Sequence, residues 1–435
     1  MLKQVLPLSS ILGIRFFGLF IVMPVLSVYA LGLDGATPML VGITMGAYAL
    51  TQMFFQVPFG KLSDKIGRKT AIFFGLFIFF IGSVICSQSY DIITLMIGRF
   101  IQGAGAVSAV TSAMISDLVK EEQRTKAMSI MGGTIGISFI IAMLLSPILA
   151  ASYSIHTLFD ITAALVLVEM VILFAFVPTP PKVHHTYTAS SSISEVLQDS
   201  NILIMSITNF LQKGVMTITF VITPIYFMKT YGWDKSELVY IYIPSLILAI
   251  FAMGAASVLA EVKGKFKFVL LFGIALFGIA YFIFGFIQGE VISIVAVTIF
   301  FIGFNMHEPI MQSLTSKYAK VHQRGLALGT FNMFGYAGTF IGGVVGGFGI
   351  VNLEILAIVI VVVSLFWLVL IAKMKDPARY KNIYVHYNEL SDEEFIHLDK
   401  IDGIIEWYKN DTESLLIIKY DDVVVDEETI RGRIH

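Results

Sequence analysis

Gly60-Lys61-Leu62-Ser63-Asp64-Lys65-Ile66-Gly67-Arg68-Lys69 stands between two long apolar runs, one ending near Phe59 and the next beginning near Thr70. Four basic residues, one acid and two glycines take seven of these ten positions. A polar break this short, between runs long enough to cross a bilayer, reads as a loop joining two membrane helices. Its basic residues mark the side on which such loops are retained. An ordinary positive inner loop would account for the lysines. It does not account for Gly60, Gly67 and the lone Asp64, so the stretch carries more information than its charge.

The rest of the chain agrees with a membrane setting. Of 435 residues, 57% are hydrophobic and 14% charged, against roughly 25% charged in a soluble domain. Twelve apolar runs approach the roughly 20 residues needed to span about 30 Å of hydrocarbon. They cover 7–31, 38–59, 70–88, 91–117, 125–151 and 156–177, then 201–230, 237–260, 268–288, 291–316, 324–350 and 352–373. Lipid gives the backbone no hydrogen-bond partner, so each run is expected to be helical. A net charge of −2 argues against a nucleic-acid partner, and the single cysteine, Cys86, excludes an intrachain disulfide framework. No small-residue cleavage site follows a short apolar core at the start, so the first run is expected to remain as a span. Basic residues gather in the loops after even-numbered spans: Lys120, Arg124 and Lys126, then Lys263, Lys265 and Lys267, then Lys317, Lys320 and Arg324. The opposite loops hold only Lys229 and Lys235. The asymmetry predicts that both termini lie in the cytoplasm.

Residues 178–200 form the one long polar break among the spans and read as a cytoplasmic linker between two six-helix halves, 1–177 and 201–375. The halves read as diverged copies. Glu261-Val-Lys-Gly264-Lys265 keeps the spacing of Asp64-Lys-Ile-Gly67-Arg68, and Glu261 follows Asp64 by 197 residues. Gly338-x-x-x-Gly342-Gly343-x-x-Gly346-Gly347 parallels Ala142-x-x-x-Ser146-Pro147-x-x-Ala150-Ala151, and Gly343 follows Pro147 by 196. Two anchors at nearly one offset indicate a parallel repeat. Beyond the last span, residues 380–435 read as a small soluble α+β domain of order β-α-β-β-α, with strands at 383–387, 403–409 and 415–420, a helix near 392–400 and a second from Glu427. His386 and His397 read as surface histidines there rather than metal ligands.

The opening stretch resembles the loop signature of the major facilitator superfamily, Gly-x-Leu-x-Asp-x-x-Gly-Arg-Lys/Arg, at every fixed position. Arg99-Phe-Ile-Gln102-Gly103-Ala-Gly105-Ala106 resembles a second motif of that superfamily. The resemblance covers nearly the whole chain, including Arg15 to Leu26 and the tail. It implies an all-α membrane protein of twelve transmembrane helices in two halves, plus a small ferredoxin-like α+β cytoplasmic domain at 380–435. It also implies a bacterial inner-membrane location. In relatives the arginine corresponding to Arg99 has been linked to proton coupling. The plainer reading is that Arg99 reaches the interface and ties neighbouring helices together. The fifth-span motif resembles the glycine-rich motif of antiporter members, but Ala and Ser replace its glycines while Pro147 is kept. Pro147, Gly338 and Gly342 are read as helix-sliding positions, with simple helix packing as the alternative.

Ionisable residues inside spans are costly in lipid and so are functional candidates: Arg15, Arg99, Glu169, Lys213, His307 and Glu308. The resemblance implies a central cavity lined by the first, fourth, seventh and tenth helices. Arg15, Arg99, Gln102, Lys213, His307 and Glu308 all fall on these. Glu308 is read as the leading proton carrier, with a static ion pair to Arg15 or Lys213 as the alternative, and Glu169 as the next candidate. Gly60, Asp64, Gly67, Arg68 and Asp117 are read as a conformational gate joining the halves on the cytoplasmic side, against the bland possibility of a solvated charge cluster. The expected activity is proton-coupled efflux of small amphiphilic compounds, with no enzymatic chemistry, no cofactor and no metal site. Its partners are a small-molecule substrate, protons, the bilayer and an unidentified ligand of the tail. Uptake by symport or facilitated diffusion, and a membrane sensor with the tail as output, stay open. No nucleotide-binding loop is found outside the spans.

Overall fold

The computed structural model describes residues 2–119, 121–178, 192–320, 323–375, 380–386, 398, 401–410 and 415–434. The first eight helices are α1 (Leu2–Phe20), α2 (Met23–Leu31), α3 (Pro38–Ile66), α4 (Arg68–Ser87), α5 (Ile92–Ala104), α6 (Ser108–Leu118), α7 (Glu121–Ser152) and α8 (Ile155–Ala175). After the short α9 (Ile193–Gln198) come α10 (Ser200–Tyr231), α11 (Val239–Ser257), α12 (Phe266–Phe286), α13 (Glu290–Tyr318), α14 (Arg324–Gly349) and α15 (Leu353–Lys373). Among the described residues, eleven stretches are long and apolar enough to cross a membrane, which makes this a multi-pass membrane protein. The remaining expected span is α14. It is 26 residues long, but its many glycines dilute its apolar character. Most of the central linker, 179–191, lies outside the described residues.

Two expected spans are not single helices. The first breaks between α1 and α2 at Ile21–Val22, just before Pro24, which has no N–H to continue the ladder. The fourth breaks between α5 and α6 at Gly105–Val107. Gly105 has the non-helical φ −75°, ψ 59°, and a side chain there would collide with the backbone of Gly75 in α4.

Helix α14 is wedged between α10 and α3. Side chains added at Gly338 or Gly342 would collide with Phe210 and Gly214 of α10. Side chains at Gly343 or Gly347 would collide with Gly42 and Pro38 of α3. Thus α14 presents one glycine face to a neighbour in the α10–α15 group and a second to the α1–α8 group. Further contacts between the groups are Ser27 Oγ donating to Phe220 O at 3.3 Å and Phe139 against Phe304. The α3–α14 contact begins at the end of α3 remote from Gly60–Lys69, and Gln52 with Tyr336 is its farthest hydrogen bond toward that basic face. Nearer the basic face, side chains added at Gly132, Gly133, Gly325 or Gly329 would meet open space. The two groups therefore close on one face and part toward the other.

The tail folds as a three-stranded antiparallel sheet of β1 (Tyr380–His386), β2 (Ile404–Asn410) and β3 (Leu415–Asp421), in the order β1-β3-β2, followed by α16 (Glu427–Ile434). Leu416, Ile418 and Tyr420 of β3 pack into a core with Ile383, Val385 and Ile430. Alternation sends Ile417 and Lys419 to the other face, yet these are buried too. Lys419 Nζ donates to Ala319 O at 2.7 Å and Tyr318 O at 3.3 Å, so this face of the sheet rests on the carbonyl end of α13. The expected helix near 392–400, apart from Leu398, the side chain of His386 and all of His397 lie outside the described residues.

The seam generates a contrast. Gly42→Ala places a methyl against the Gly343 backbone and should destabilise the protein by about 1–3 kcal/mol. Gly60→Ala lies in a helix with nothing within 4 Å and should be neutral or stabilising by up to about 1 kcal/mol. Thermal unfolding of the two variants in detergent measures this, and equal melting temperatures would remove the seam's claim to importance.

Candidate functional site

The stretch that reads as a ten-residue loop is almost entirely helical. Helix α3 runs on through Asp64 to Ile66, and α4 starts at Arg68. Gly67 alone makes the corner, at φ +92°, a backbone conformation open to glycine. Its repeat counterpart Gly264 has φ +68°, so the shared glycine serves the same bend twice. Asp64 therefore caps no helix N-terminus. It sits in the last turn of α3 and pairs with Arg68 at 2.6 Å, while Arg68 Nε donates to Asp117 at 3.0 Å and Nη1 to Ser63 Oγ at 2.6 Å. The three expected charges thus come together. The hydrogen bonds described for Arg68 stay within residues 63–117, and nothing lies within 4 Å of a side chain added at Gly60 or Gly67 in this conformation. In the second repeat the charges are exchanged between elements: Glu261 of the Val258–Val262 π-turn accepts from Lys317 at 2.9 Å and Ser313 at 2.7 Å.

Deeper in the α1–α8 group, Arg15 and Arg99 are fully buried. Arg15 donates to the carbonyl of Gly105, exposed by the break between α5 and α6, and to Ser108 Oγ at 3.3 Å. Its guanidinium stands 5.0 Å from the Phe79 ring. Arg99 lies over the Tyr48 ring at 4.5 Å and donates to Gln102 Oε1 at 2.9 Å, which in turn donates from Nε2 to Ser83 Oγ at 2.9 Å. Arg99 Nε and Nη2 have no hydrogen-bond partner among the described residues. Arg99 is thus a buried cation on an aromatic face. Glu169 of α8 is fully buried as well, and neither carboxyl oxygen has a hydrogen-bond partner among the described residues. Arg15 is the charge that acts on it.

In the α10–α15 group, Lys213 Nζ donates to both carboxylate oxygens of Glu308 at 2.9 Å. Gln212 Nε2 adds a 3.3 Å bond to Glu308 Oε2. The side chains are 23% and 39% exposed, so the pair is only partly enclosed. Of the two partners considered for Glu308, Lys213 is the one present, and Arg15 bonds elsewhere. His307, one residue away, points to the opposite side of α13. It is fully buried against Phe277 and Trp367, with Nε2 2.9 Å from Leu270 O. Consecutive helical residues diverge by about 100°, which separates it from the cavity side.

Several participants were not singled out from the sequence. Gln52 of α3 donates to Tyr336 Oη of α14 at 2.8 Å and to Ser108 Oγ at 3.4 Å, so Arg15, Ser108, Gln52 and Tyr336 form one polar chain between the two groups. Gln52 and Gln56, polar and four apart in an apolar run, were the available signal. Pro147 is buried within a continuous α7. Gly338 and Gly342 pack within the α10–α15 group, whereas Gly343 and Gly347 meet the other group. Two lysines also repeat a role. Lys69 Nζ donates to Val177 O at 2.9 Å beyond α8, and Lys267 Nζ to Ala372 O at 2.6 Å at the end of α15. Each satisfies terminal carbonyls and opposes the helix dipole. Among the described residues no cluster of His, Cys, Asp and Glu is arranged to hold a metal ion.

The two charge corners differ in depth. Arg68→Ala removes the guanidinium, 17% exposed, that Asp64, Asp117 and Ser63 share, and should lower stability by about 1–3 kcal/mol. Glu261→Ala, in a pair 34% and 42% exposed, should cost about 0–1 kcal/mol. Thermal unfolding of both variants tests the ranking, and a larger loss for Glu261→Ala would reverse it.

Residues 8–343 match the sequence profile of the Major Facilitator Superfamily. The chain is 34% identical over 378 residues to the inner membrane transport protein YajR of Escherichia coli K12, covering 85% of this chain and 83% of YajR. It is 26% identical to the quinolone resistance protein NorA of Staphylococcus aureus MSSA476, covering 79% and 89%. Among solved structures, an inward-facing, occupied bacterial homologue of the human lysosomal transporter Spinster superposes with TM-score 0.67 at 14% identity, covering 85% and 96%. A point mutant of the nucleoside transporter NupG superposes with TM-score 0.66 at 16% identity, covering 86% and 99%. The profile match over most of the chain and the helix corner at Gly67 agree: this chain belongs to the Major Facilitator Superfamily and is a secondary transporter of small molecules, not an enzyme.

Proposed function

We propose that the protein is a proton-coupled exporter of small amphiphilic compounds in a bacterial inner membrane, with Glu169 as the proton-carrying carboxyl group. The observation behind this reading is the setting of Glu169, fully buried and without a hydrogen-bond partner among the described residues. An ionised carboxylate in an apolar interior costs several kcal/mol unless paired. Arg15 is the neighbouring cation, and it is also tied through Ser108 and Gln52 to Tyr336 across the group boundary. A change of charge at Glu169 would therefore pull on the chain that joins the two groups. Glu308, already held by Lys213 and partly solvated, suits substrate contact better than proton storage.

On this reading residues 1–177 and 201–375 rock as two halves about the α3–α14 seam. The form described here is closed on the outer face, and the Asp64–Arg68–Asp117 corner with Gly60 and Gly67 meets the other half when the cytoplasmic side closes. Export is favoured by likeness to NorA, named for quinolone resistance. Import or facilitation is the second reading, favoured by Ala142, Ser146, Ala150 and Ala151 where antiporter relatives carry glycine. The tail, with sheet order β1-β3-β2 and a helix after β3, is read as a ferredoxin-like domain. Its seat on α13 supports a regulatory role for it.

In proteoliposomes with an imposed pH gradient, Glu169→Gln should abolish uphill flux yet keep downhill counterflow, because amide neutrality fixes one charge state while leaving the carrier intact. Undiminished uphill flux would move the proton site elsewhere, with Glu308→Gln the next variant to assay. Orientation has its own check. Cys86 is buried, so an added cysteine reports cleanly. Val423→Cys should react with an impermeant maleimide only after the membrane is opened, and Tyr90→Cys in intact cells. Reaction of Val423→Cys from outside would invert the topology.

A further inference from the structure

The Lys213–Glu308 pair is ill suited to a purely structural role. Two opposite charges inside the spans stand partly open rather than sealed, in a region where facing lipid would be costly. They therefore face the space between the two groups. Lys213 Nζ lies 5.0 Å from the centre of the Phe304 ring, and that ring begins an aromatic wall crossing the group boundary. Phe304 meets Phe139 of α7 at 5.9 Å, Phe139 meets Phe20 of α1 at 5.0 Å, and Phe20 stacks on Phe16 at 5.5 Å. Phe304 and Phe139 are themselves buried, at 3% and 6% exposed, and back the wall, whereas Phe16 and Phe20 are half-buried and leave ring surface available. One wall of the space is thus aromatic and drawn from both groups, and at its end sit one cation and one anion.

We propose that this pair is the head-group subsite for a carried aromatic zwitterion, whose ammonium takes Glu308 and whose carboxylate takes Lys213 while its ring lies toward the partly exposed Phe20–Phe16 end of that aromatic wall. The proposal rests on the transport reading above and names its substrate class. Charge balance selects the class. A monocation seated on Glu308 would strand Lys213 in a poorly solvated place, and a monoanion on Lys213 would strand Glu308. A zwitterion replaces one internal pair by two new pairs and strands nothing. Arg15, Arg99 and Glu169 of the other group are fully buried and supply no competing head-group contact.

Equilibrium binding to the full chain in nanodiscs tests this without any proton gradient. Four probes share one ring system: 2-naphthylalanine as zwitterion, its methyl ester as cation, its N-acetyl derivative as anion, and the N-acetyl methyl ester as neutral compound. The zwitterion should bind at least about tenfold more tightly than each of the others. The double variant Lys213→Met/Glu308→Leu should lose that preference while still binding the neutral compound, which shows that the wall remains folded. The exchange Lys213→Glu/Glu308→Lys should restore the preference in part. A cationic ester binding as tightly as the zwitterion, or a preference that survives the double variant, overturns the proposal. Either result leaves the Glu169 flux assay untouched, and failure of that assay leaves this binding order standing.

Discussion

The architecture depends on one helix having two backbone faces. Helix α14 offers Gly338 and Gly342 to α10 and, about 100° further round its axis, Gly343 and Gly347 to α3. Lipid gives apolar side chains no reason to leave it, so helices in a membrane adhere through close packing and polar contact. Where side chains are absent on both partners, backbones touch over a narrow strip with no interlocked knobs. Such a contact is close but smooth. It can hold α14 to its own group on one face while permitting separation on the other. The same composition that lowers α14's hydropathy below that of the other spans makes this double contact possible.

Charge is distributed unequally about that seam. The α1–α8 group encloses Arg15, Arg99 and Glu169 completely, and satisfies the cations with a freed carbonyl, an amide and aromatic faces rather than with a bound carboxylate. The break at Gly105 is central to this. A continuous helix would have presented no turned-out carbonyl to Arg15, and irregular backbone at membrane depth is tolerated where it is buried in protein. The α10–α15 group instead keeps a matched pair, Lys213 with Glu308, partly in contact with the open space. On the proposed reading this divides the labour, with proton chemistry enclosed on one side of the seam and substrate charge on the other.

Much of this was legible in the residues. Eleven of the twelve expected spans, and the meeting of Asp64, Arg68 and Asp117, follow from hydropathy and motif spacing, because burial in lipid leaves the backbone few alternatives. What escaped was local geometry. The stretch 60–69 looks like a loop because charges and glycines usually mark one, yet a helix leaving the bilayer can stay helical with a polar surface, and only Gly67 bends. Depth along a helix is readable from sequence, but which way a side chain turns depends on the neighbour. His307 and Glu308 are adjacent in the chain and lie on different sides of α13 for that reason. Glu169 lay near an expected span end, and only the packing of α8 shows that it is enclosed.

The basic residues of the loop face have a second meaning beyond orientation. Lys69 and Lys267 close the carbonyl ends of α8 and α15, at corresponding places in the two repeats, and Lys419 of the tail does the same for α13. A helix ending at the membrane surface leaves terminal carbonyls without intrahelical partners, and a lysine on a neighbouring element satisfies them while countering the dipole. Positive charge on this face is therefore partly a structural requirement of where these helices stop. The tail's lysine extends the device to a separate element: the sheet is seated by the bond that completes α13, the helix carrying Glu308. Any displacement of the α13 end relative to the sheet must break that seat or carry the sheet with it, which gives the tail a direct mechanical link to the helix on which the proposed head-group subsite stands.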